Sequence, residues 1–190
     1  LDQADIIIGH NVKAFDNKRI NARFVLNKIK PPSSYKQIDT LLISRKHFGF
    51  ISHKLEHLAD KLGVKRKKYS HKKFPGFELW KGCLSGNADA WKEMEVYNKT
   101  DVIVLEEVYK KLIPWDNSLN FSIYNDSCSN VCKCGGTKFQ KNGFSYTNTS
   151  KFQRYKCIKC GSETRDRTNL FSKDKTKSLA ILKKQKEIQI

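Results

Sequence analysis

The sequence predicts an α/β protein followed by a small, cysteine-containing second unit. The apolar run over residues 6–8 is stopped by Gly9, which is typical of a short buried strand, and segments with helical spacing of apolar residues follow it. Two close pairs of cysteines beyond residue 130 indicate the second unit. At 190 residues, 38% of them apolar, the chain is long enough for one ordinary domain and a small module.

The first elements follow from spacing and from residues that stop a helix or strand. We predict a strand over residues 5–9 and a helix over residues 16–29 that is ended by Pro31. Asp39 is interpreted as the N-cap of the next helix, because a carboxylate there can accept from the first unpaired N–H groups.

Two later helices complete the first part. Ser52 is predicted to cap one that ends just before Gly63, and residues 88–112 form the longest periodic segment, ended by Pro114. Beyond it the composition predicts the following organisation: a first domain over residues 1–115, a linker rich in Asn, Ser and Asp over 116–129, a cysteine-containing domain over 130–168 and a basic tail over 169–190.

The charge of the chain favours a polyanionic partner. There are 37 Lys and Arg residues against 19 Asp and Glu residues, a formal net charge of +18, which places nucleic acid ahead of a membrane surface. A basic loop contains Lys65, Arg66, Lys67 and Lys68; taken alone it is typical of a solvated loop, and with the charge of the whole chain we predict that it contacts nucleic acid. Because the sequence has neither a spanning apolar run nor a signal peptide, we expect an intracellular, cytoplasmic protein, in the host cytoplasm if the protein is viral.

Four of the six cysteines have metal-ligand spacing. Two thiolate pairs, each followed by glycine, can close a tetrahedron around Zn²⁺, whereas a pair of disulfides would need an oxidising compartment. Cys128 is an alternative ligand, and Cys83 is expected in the core. The predicted structural zinc ligands are Cys132, Cys134, Cys157 and Cys160.

The segment from residue 132 to residue 167 resembles the zinc ribbons of transposases and phage nucleases. In this resemblance residues 141–143 form a hairpin turn, and Arg154 and Lys156 lead into the second cysteine pair and contact nucleic acid. The clustered cations and aromatic rings of this segment independently favour contact with nucleic acid, since cations neutralise phosphates and rings stack on bases. The alternative to a nucleic-acid-binding ribbon is a small metal-stabilised unit that binds another protein.

Two polar motifs in the first part also resemble a known family. "IIIGHNVKAFDNKRINARF" carries Asn11 and Asp16 after the first strand, and "YNKTDVIVLEEVYKKL" carries Tyr97 and Asp101 one helical turn apart. Together they resemble two of the three motifs of the DEDD 3'-5' exonucleases in their tyrosine variant, within the ribonuclease H-like superfamily. The resemblance is to the exonuclease domain of family B DNA polymerases and its stand-alone phage-type relatives, over residues 1 to about 115.

The resemblance implies a ribonuclease H-like mixed sheet flanked by helices and a two-metal site for Mg²⁺ or Mn²⁺. Asp16 would hold the metal on the leaving-group side, Asp101 the metal that activates water, and Tyr97 would orient that water. Asn11, counted among the nucleic-acid-binding residues, would steady the motif loop or the strand end. We expect Phe15 to pack behind Asp16.

The first motif of the family, Asp-x-Glu, occurs nowhere in the chain. Because the only methionine is Met94, Leu1 is not an encoded start, and we expect a fragment whose first strands and Asp-x-Glu are absent. Two separated carboxylates leave most of a Mg²⁺ coordination sphere to water, so we predict little or no activity for these 190 residues alone.

The sequence therefore leads to one main function and two rivals. The main hypothesis is a metal-dependent 3'-5' exonuclease that acts on DNA with a single-stranded 3' end and works with replication or repair proteins. One rival is a non-catalytic nucleic-acid-binding module on the same scaffold, and the other is a transposase-like DNA-binding protein.

Overall fold

The computed structural model describes residues 1–65, Tyr69, 73–124 and 130–179. The chain divides into two compact units, Leu1–Ser118 and Leu119–Ile190. The first unit is a mixed α/β structure, as the sequence predicts. No helix in the described part of the chain is both long and apolar enough to cross a membrane.

The first unit begins with a parallel β-α-β arrangement. Strand β1 (Ile6–Gly9) pairs in parallel with strand β2 (Lys36–Asp39), and helix α1 (Asp16–Leu26) lies between them in the chain. Gly9 is paired with Asp39, so the carboxyl ends of both strands lie at the same edge. β2 is a strand that the sequence analysis did not identify.

Helix α1 is shorter than predicted. It ends at Leu26 because Lys28 takes a left-handed conformation, with φ of 56°, and Ile29 N–H turns back to the carbonyl of Phe24 at 2.8 Å. This is a Schellman ending, which satisfies carbonyls that the helix leaves unpaired. The prolines that follow are therefore not what stops the helix.

The remaining helices of the first unit pack on one long helix. Helix α5 (Ala88–Leu112) matches the predicted span and is capped by Asn87. Its contacts include three short helices, α2 (Thr40–His47), α3 (Leu55–Lys61) and α4 (Glu78–Leu84), the last of which was not predicted. The buried core includes Ile38, Leu58, Leu79, Val104, Val108 and Leu112.

One predicted cap is wrong. Lys54 is the N-cap residue of α3 and makes no side-chain cap, while the Ser52 hydroxyl only accepts a long bond of 3.4 Å from the N–H of Lys54. The end of α3 is as expected, since Gly63 follows it with φ of 63°.

The second unit is a small antiparallel sheet. Strands β3 (Phe139–Tyr146), β4 (Lys151–Cys157) and β5 (Glu163–Arg165) pair in that order, and helix α6 (Lys173–Leu179) follows. Residues 141–143 are not the hairpin turn that the Asn-Gly pair suggested, because the chain bulges between Lys141 and Phe144 and continues as strand. The turn lies at Thr147–Ser150, closed by a 2.9 Å backbone hydrogen bond.

Candidate functional site

The loop that follows β1 is held in place by Asp39. Its carboxylate accepts backbone N–H groups of Asn11 at 2.9 Å and Lys13 at 3.2 Å, and it also accepts Leu41 N–H at 3.1 Å as the N-cap of α2. The residue is 4% exposed. The predicted cap is thus confirmed, and the same side chain additionally fixes the loop that carries the first candidate motif.

The conformation of this loop explains two of its residues. Asn11 has φ of 68°, a left-handed conformation that Asn tolerates better than most residues. A Cβ on Gly9 would lie 2.4 Å from the Cβ of Val12, so only glycine permits this close turn. Asn11 therefore helps to shape the loop through its backbone conformation, and its expected role at the nucleic-acid site stays a prediction.

Asp16 is the first residue of α1, and its side chain is exposed. A carboxylate in the first turn is favoured by the helix dipole and remains accessible to a cation. Phe15 does not pack behind Asp16 as expected, because its ring is 49% exposed and carries the Arg19 guanidinium 4.3 Å above its centroid. The ring is therefore largely on the surface, beside Arg19.

Tyr97 and Asp101 lie one turn apart on α5, as predicted. The Tyr97 ring packs against the cluster formed by Leu79, Cys83 and Ala90, and Trp80 meets it edge-on with centroids 5.8 Å apart. Asp101 is half-buried, and its Oδ1 atom is shielded from solvent. The position of Tyr97 is therefore fixed by aromatic and aliphatic packing, and Cys83 is the core residue that the sequence predicted.

The described residues do not assemble a complete acidic cation site. Within residues 1–65, 69, 73–124 and 130–179, the only group of three or more suitable metal-ligand side chains is formed by cysteines, so neither Asp16 nor Asp101 belongs to one. The structure brings Tyr97 and Asp101 to one helix face and leaves Asp16 at the start of α1. The acidic residues present thus fit a divalent cation only in part.

The same loop region contains a buried polar network that sequence reasoning missed. A ring nitrogen of His10 lies 2.9 Å from the Thr40 hydroxyl, which donates to the carbonyl of Gly9 at 3.2 Å. Burial lowers the pKa of His10, and a hydrogen bond with the backbone of His53 and the charge of Asp39 oppose that shift only in part. The sequence signal that could have revealed this network is the position of His10 directly after the predicted strand.

The four predicted zinc ligands converge in the second unit. The Sγ atoms of Cys132, Cys134, Cys157 and Cys160 all lie within 4.8 Å of one another. Cys132 Sγ is 3.5 Å from Cys160 Sγ, and Cys134 Sγ is 3.7 Å from Cys157 Sγ. A tetrahedron with Zn–S of about 2.3 Å has S···S edges of about 3.8 Å, whereas a disulfide bond measures about 2.05 Å. The geometry fits a tetrahedral metal centre and not a pair of disulfides.

The backbone around the thiols is shaped for this arrangement. Gly135 and Gly161 turn each cysteine pair with φ of 77° and 76°. A Cβ on Gly136 would lie 3.0 Å from Cys157 Sγ, so the glycine leaves room for the sulfur. Ser162 N–H donates to Cys160 Sγ at 3.4 Å, the kind of bond that stabilises a thiolate ligand.

The thiols differ in how readily they release a proton. Burial raises the pKa of Cys132 to about 12. Burial acts in the same direction on Cys157, but hydrogen bonds from the backbone of Cys160 and Lys159 outweigh it and lower its pKa to about 7. A soft cation that binds such a cluster displaces the remaining protons, so its affinity rises with pH.

The residues predicted to contact nucleic acid differ in their exposure and in the partners of their side chains. Lys65 is exposed, whereas Arg66, Lys67 and Lys68, like the alternative ligand Cys128, lie outside the described residues. Arg154 is half-buried and engaged within the sheet: its Nε donates to the carbonyl of Asn142 at 2.8 Å and it lies 3.6 Å from the Glu163 carboxylate. Lys156 is half-buried on the same face. Arg154 thus supports the bulge of β3, and its contact with nucleic acid stays a prediction.

The first unit combines a parallel strand pair, an intervening helix and the long helix α5. A family model described as RNase_H superfamily matches residues 1–113. Because this match covers more than half of the 190 residues, the chain belongs to the RNase H superfamily. No curated protein and no solved structure matches the chain. Membership in this superfamily suggests a nuclease or nucleic-acid-binding function.

Proposed function

We propose that the first unit is the core of a divalent-metal-dependent 3'-5' exonuclease of the DEDD tyrosine variant, with single-stranded 3' ends of DNA as substrate. The observation that carries the proposal is the combination, in an RNase H superfamily chain, of Asp16 after the β1 loop with Tyr97 and Asp101 on α5. A net charge of +18 supports a polyanionic substrate. Replication or repair proteins are the further partners proposed.

Each of these side chains has a distinct task in the proposal. Asp16 and Asp101 are the carboxylates that would hold Mg²⁺ or Mn²⁺, and these ions would supply stabilisation of the charge that develops on the phosphodiester. Tyr97 donates or accepts a hydrogen bond at the attacking water and so orients it. Packing of Trp80 against the Tyr97 ring limits where the hydroxyl can point.

Two carboxylates are fewer than the mechanism requires. The chain has no Asp-x-Glu to supply the other two, and no acidic group of three assembles among the described residues. We therefore expect weak Mn²⁺ binding and little or no hydrolysis by these 190 residues. Robust Mg²⁺-dependent digestion by the purified chain, lost in Asp101→Asn, would contradict this expectation.

The test measures Mn²⁺ binding by electron paramagnetic resonance, together with trimming of 5'-labelled single-stranded DNA at high protein concentration. Asp16→Asn and Asp101→Asn should each weaken Mn²⁺ binding on the order of tenfold, since each removes a carboxylate ligand. The matched control is Asp89→Asn, which removes an exposed carboxylate of α5 that is already paired with Lys73 at 2.8 Å. If all three variants bind Mn²⁺ alike, Asp16 and Asp101 are not its ligands and the proposal fails.

A non-catalytic nucleic-acid-binding module is the second candidate. It is favoured by the lack of an acidic cluster of three within the residues that the structure describes. This candidate predicts binding of single-stranded DNA that weakens steeply with salt, without specific Mn²⁺ binding at Asp16 or Asp101. The same binding assay, run with and without Mn²⁺, separates the two functions.

The second unit is proposed to be a zinc ribbon that helps to bind substrate. Its support is the tetrahedral spacing of the four Sγ atoms together with the basic composition of residues 127–190, which contain 15 Lys and Arg residues against 4 Asp and Glu residues. In this proposal residues 1–115 are the nuclease domain, 116–129 the linker, 130–168 the zinc ribbon and 169–190 the basic tail.

A further inference from the structure

One face of the second-unit sheet exposes two aromatic rings beside a lysine. Phe144 and Tyr146 are two residues apart on β3 and therefore point to the same face. Tyr146 is paired directly with Lys151 of β4, which places that side chain on the face as well. The rings are 40% and 63% exposed. We call these three side chains the aromatic patch.

Lys151 is held in position between the two rings. Its Nζ lies 3.8 Å from the centroid of Phe144 and 5.8 Å from that of Tyr146, and the rings meet edge-to-face with centroids 6.5 Å apart. Its backbone is also fixed, because its N–H donates to Asn169 Oδ1 at 3.0 Å and its carbonyl accepts Leu170 N–H at 2.7 Å. The ammonium group of Lys151 is thus held beside the exposed rings of Phe144 and Tyr146.

The opposite face of the same sheet has the contrasting arrangement. There the ring of Phe152 is covered by the Arg165 guanidinium at 4.3 Å, and Arg154 lies 3.6 Å from Glu163. The Phe152 ring is thus covered by a cation, and Arg154 faces a carboxylate. Arg154 and Lys156, the two residues of this unit that the sequence predicted to bind nucleic acid, both belong to this opposite face.

A structural role alone does not account for the aromatic patch. Cross-strand pairs of an aromatic ring with a lysine do stabilise sheets, but a ring recruited only for packing would be buried, and Tyr146 keeps 63% of its surface exposed. The described part of the unit, residues 130–179, carries 12 Lys and Arg residues against 3 Asp and Glu residues. Such a surface is complementary to a polyanion that also presents flat apolar rings.

We propose that the aromatic patch is a stacking site for single-stranded nucleic acid, in which a base stacks on Tyr146 and Lys151 contacts a neighbouring phosphate. A duplex does not fit this role, because its bases are already stacked on one another and offer no open face. The proposal rests on the nucleic-acid binding assigned to the second unit and not on hydrolysis by the first.

The test uses the zinc-loaded full chain without Mg²⁺ or Mn²⁺ and measures fluorescence anisotropy of a labelled oligothymidylate. Tyr146→Ala should weaken binding by about 5- to 100-fold, the range expected for losing one base stack, and Tyr146→Phe should bind like the original protein. The matched control is Tyr124→Ala, which removes a 42% exposed tyrosine of the same unit outside the sheet. The absorption spectrum of Co²⁺ bound to the four thiolates checks that each variant is folded.

A second probe separates stacking from charge. On an abasic oligonucleotide of equal length, Tyr146→Ala and the original protein should bind equally, because no base is left to stack. Lys151→Gln should lower the slope of log affinity against log salt by about 1, whereas Lys81→Gln in the first unit, where the lysine is already paired with Glu78 at 2.9 Å, should leave it unchanged.

Equal binding of oligothymidylate by Tyr146→Ala and Tyr146→Phe would overturn the stacking site, as would an equal loss on the abasic strand. A clear preference for duplex DNA would overturn it too. Because the assay contains no divalent cation for the acidic residues, failure of the exonuclease proposal would leave these results unchanged, and the two proposals can fail separately.

Discussion

At the scale of single residues, Asp39 is the side chain on which the geometry of the candidate active site depends most. It joins the loop after β1 to the start of α2 by accepting N–H groups of Asn11, Lys13 and Leu41 within 3.2 Å. It is also 4% exposed, so each of these bonds is shielded from water. A residue outside the predicted catalytic set therefore positions the loop that leads to Asp16.

We expect Asp39→Asn to lower the free energy of unfolding of the first unit by about 2–3 kcal/mol, because a charge-assisted acceptor is lost and an amide NH₂ must face a backbone donor. Urea denaturation followed by tryptophan fluorescence measures this unit, since Trp80, Trp91 and Trp115 all lie in it. Asp60→Asn is the control at an exposed position and should change stability by less than about 0.5 kcal/mol. Equal urea midpoints for the two variants would show that Asp39 does not hold the loop.

The sequence could predict part of this arrangement. The cap on α2 is a local signal, because Asp39 and Leu41 are two residues apart. The bonds to Asn11 and Lys13 span 28 and 26 residues and depend on the register in which β1 meets β2. Sequence spacing does not specify the register of a parallel strand pair, so the hydrogen bonds from the loop to Asp39 could not be predicted.

At the scale of elements, the bulge in β3 shows how a local turn signal can be overridden. Asn142 and Gly143 have the composition of a hairpin turn, yet β3 continues through them to Tyr146. Side chains of β4 hold the bulge: Arg154 Nε donates to the carbonyl of Asn142, and Gln153 Nε2 donates to that of Gly143, both at 2.8 Å. Contacts from a neighbouring strand thus decide the conformation of Asn142 and Gly143, and the local sequence pattern cannot predict such contacts.

Replacing Gly143 tests the bulge. Gly143 has φ of 67°, and a left-handed conformation costs a residue with a Cβ about 1–2 kcal/mol. If metal binding is coupled to folding of the unit, Gly143→Ala should weaken its Co²⁺ affinity by about 5- to 30-fold, and Gly143→Asn should weaken it less. Optical titration with Co²⁺ measures both variants, and identical affinities for glycine, asparagine and alanine would mean that no left-handed residue is needed there.

At the scale of the whole molecule, the two units have different sources of stability. The first buries aliphatic side chains around α5, and its fold class was predictable because the β1 run, the Asp39 cap and the periodicity of α5 match the structure, whereas β2 and α4 gave no such signal. In the described part of the second unit, the buried apolar residues are Cys132 and Cys157 alone. Those two side chains are metal ligands in the proposed site, so the metal takes the place of a core there.

Removal of the metal should therefore unfold one unit and spare the other. In ¹H–¹⁵N NMR spectra, a strong chelator should collapse the amide signals of Gly135, Gly161 and the β3–β5 sheet, while the indole signals of the first unit keep their dispersion. Cys157→Ser should reproduce this pattern without chelator and lose the bound zinc. Cys83→Ser, which alters a buried thiol of the first unit, should retain one zinc per chain. Preserved sheet signals in the chelated protein would mean that the second unit folds without metal, and its four cysteines would then need another explanation.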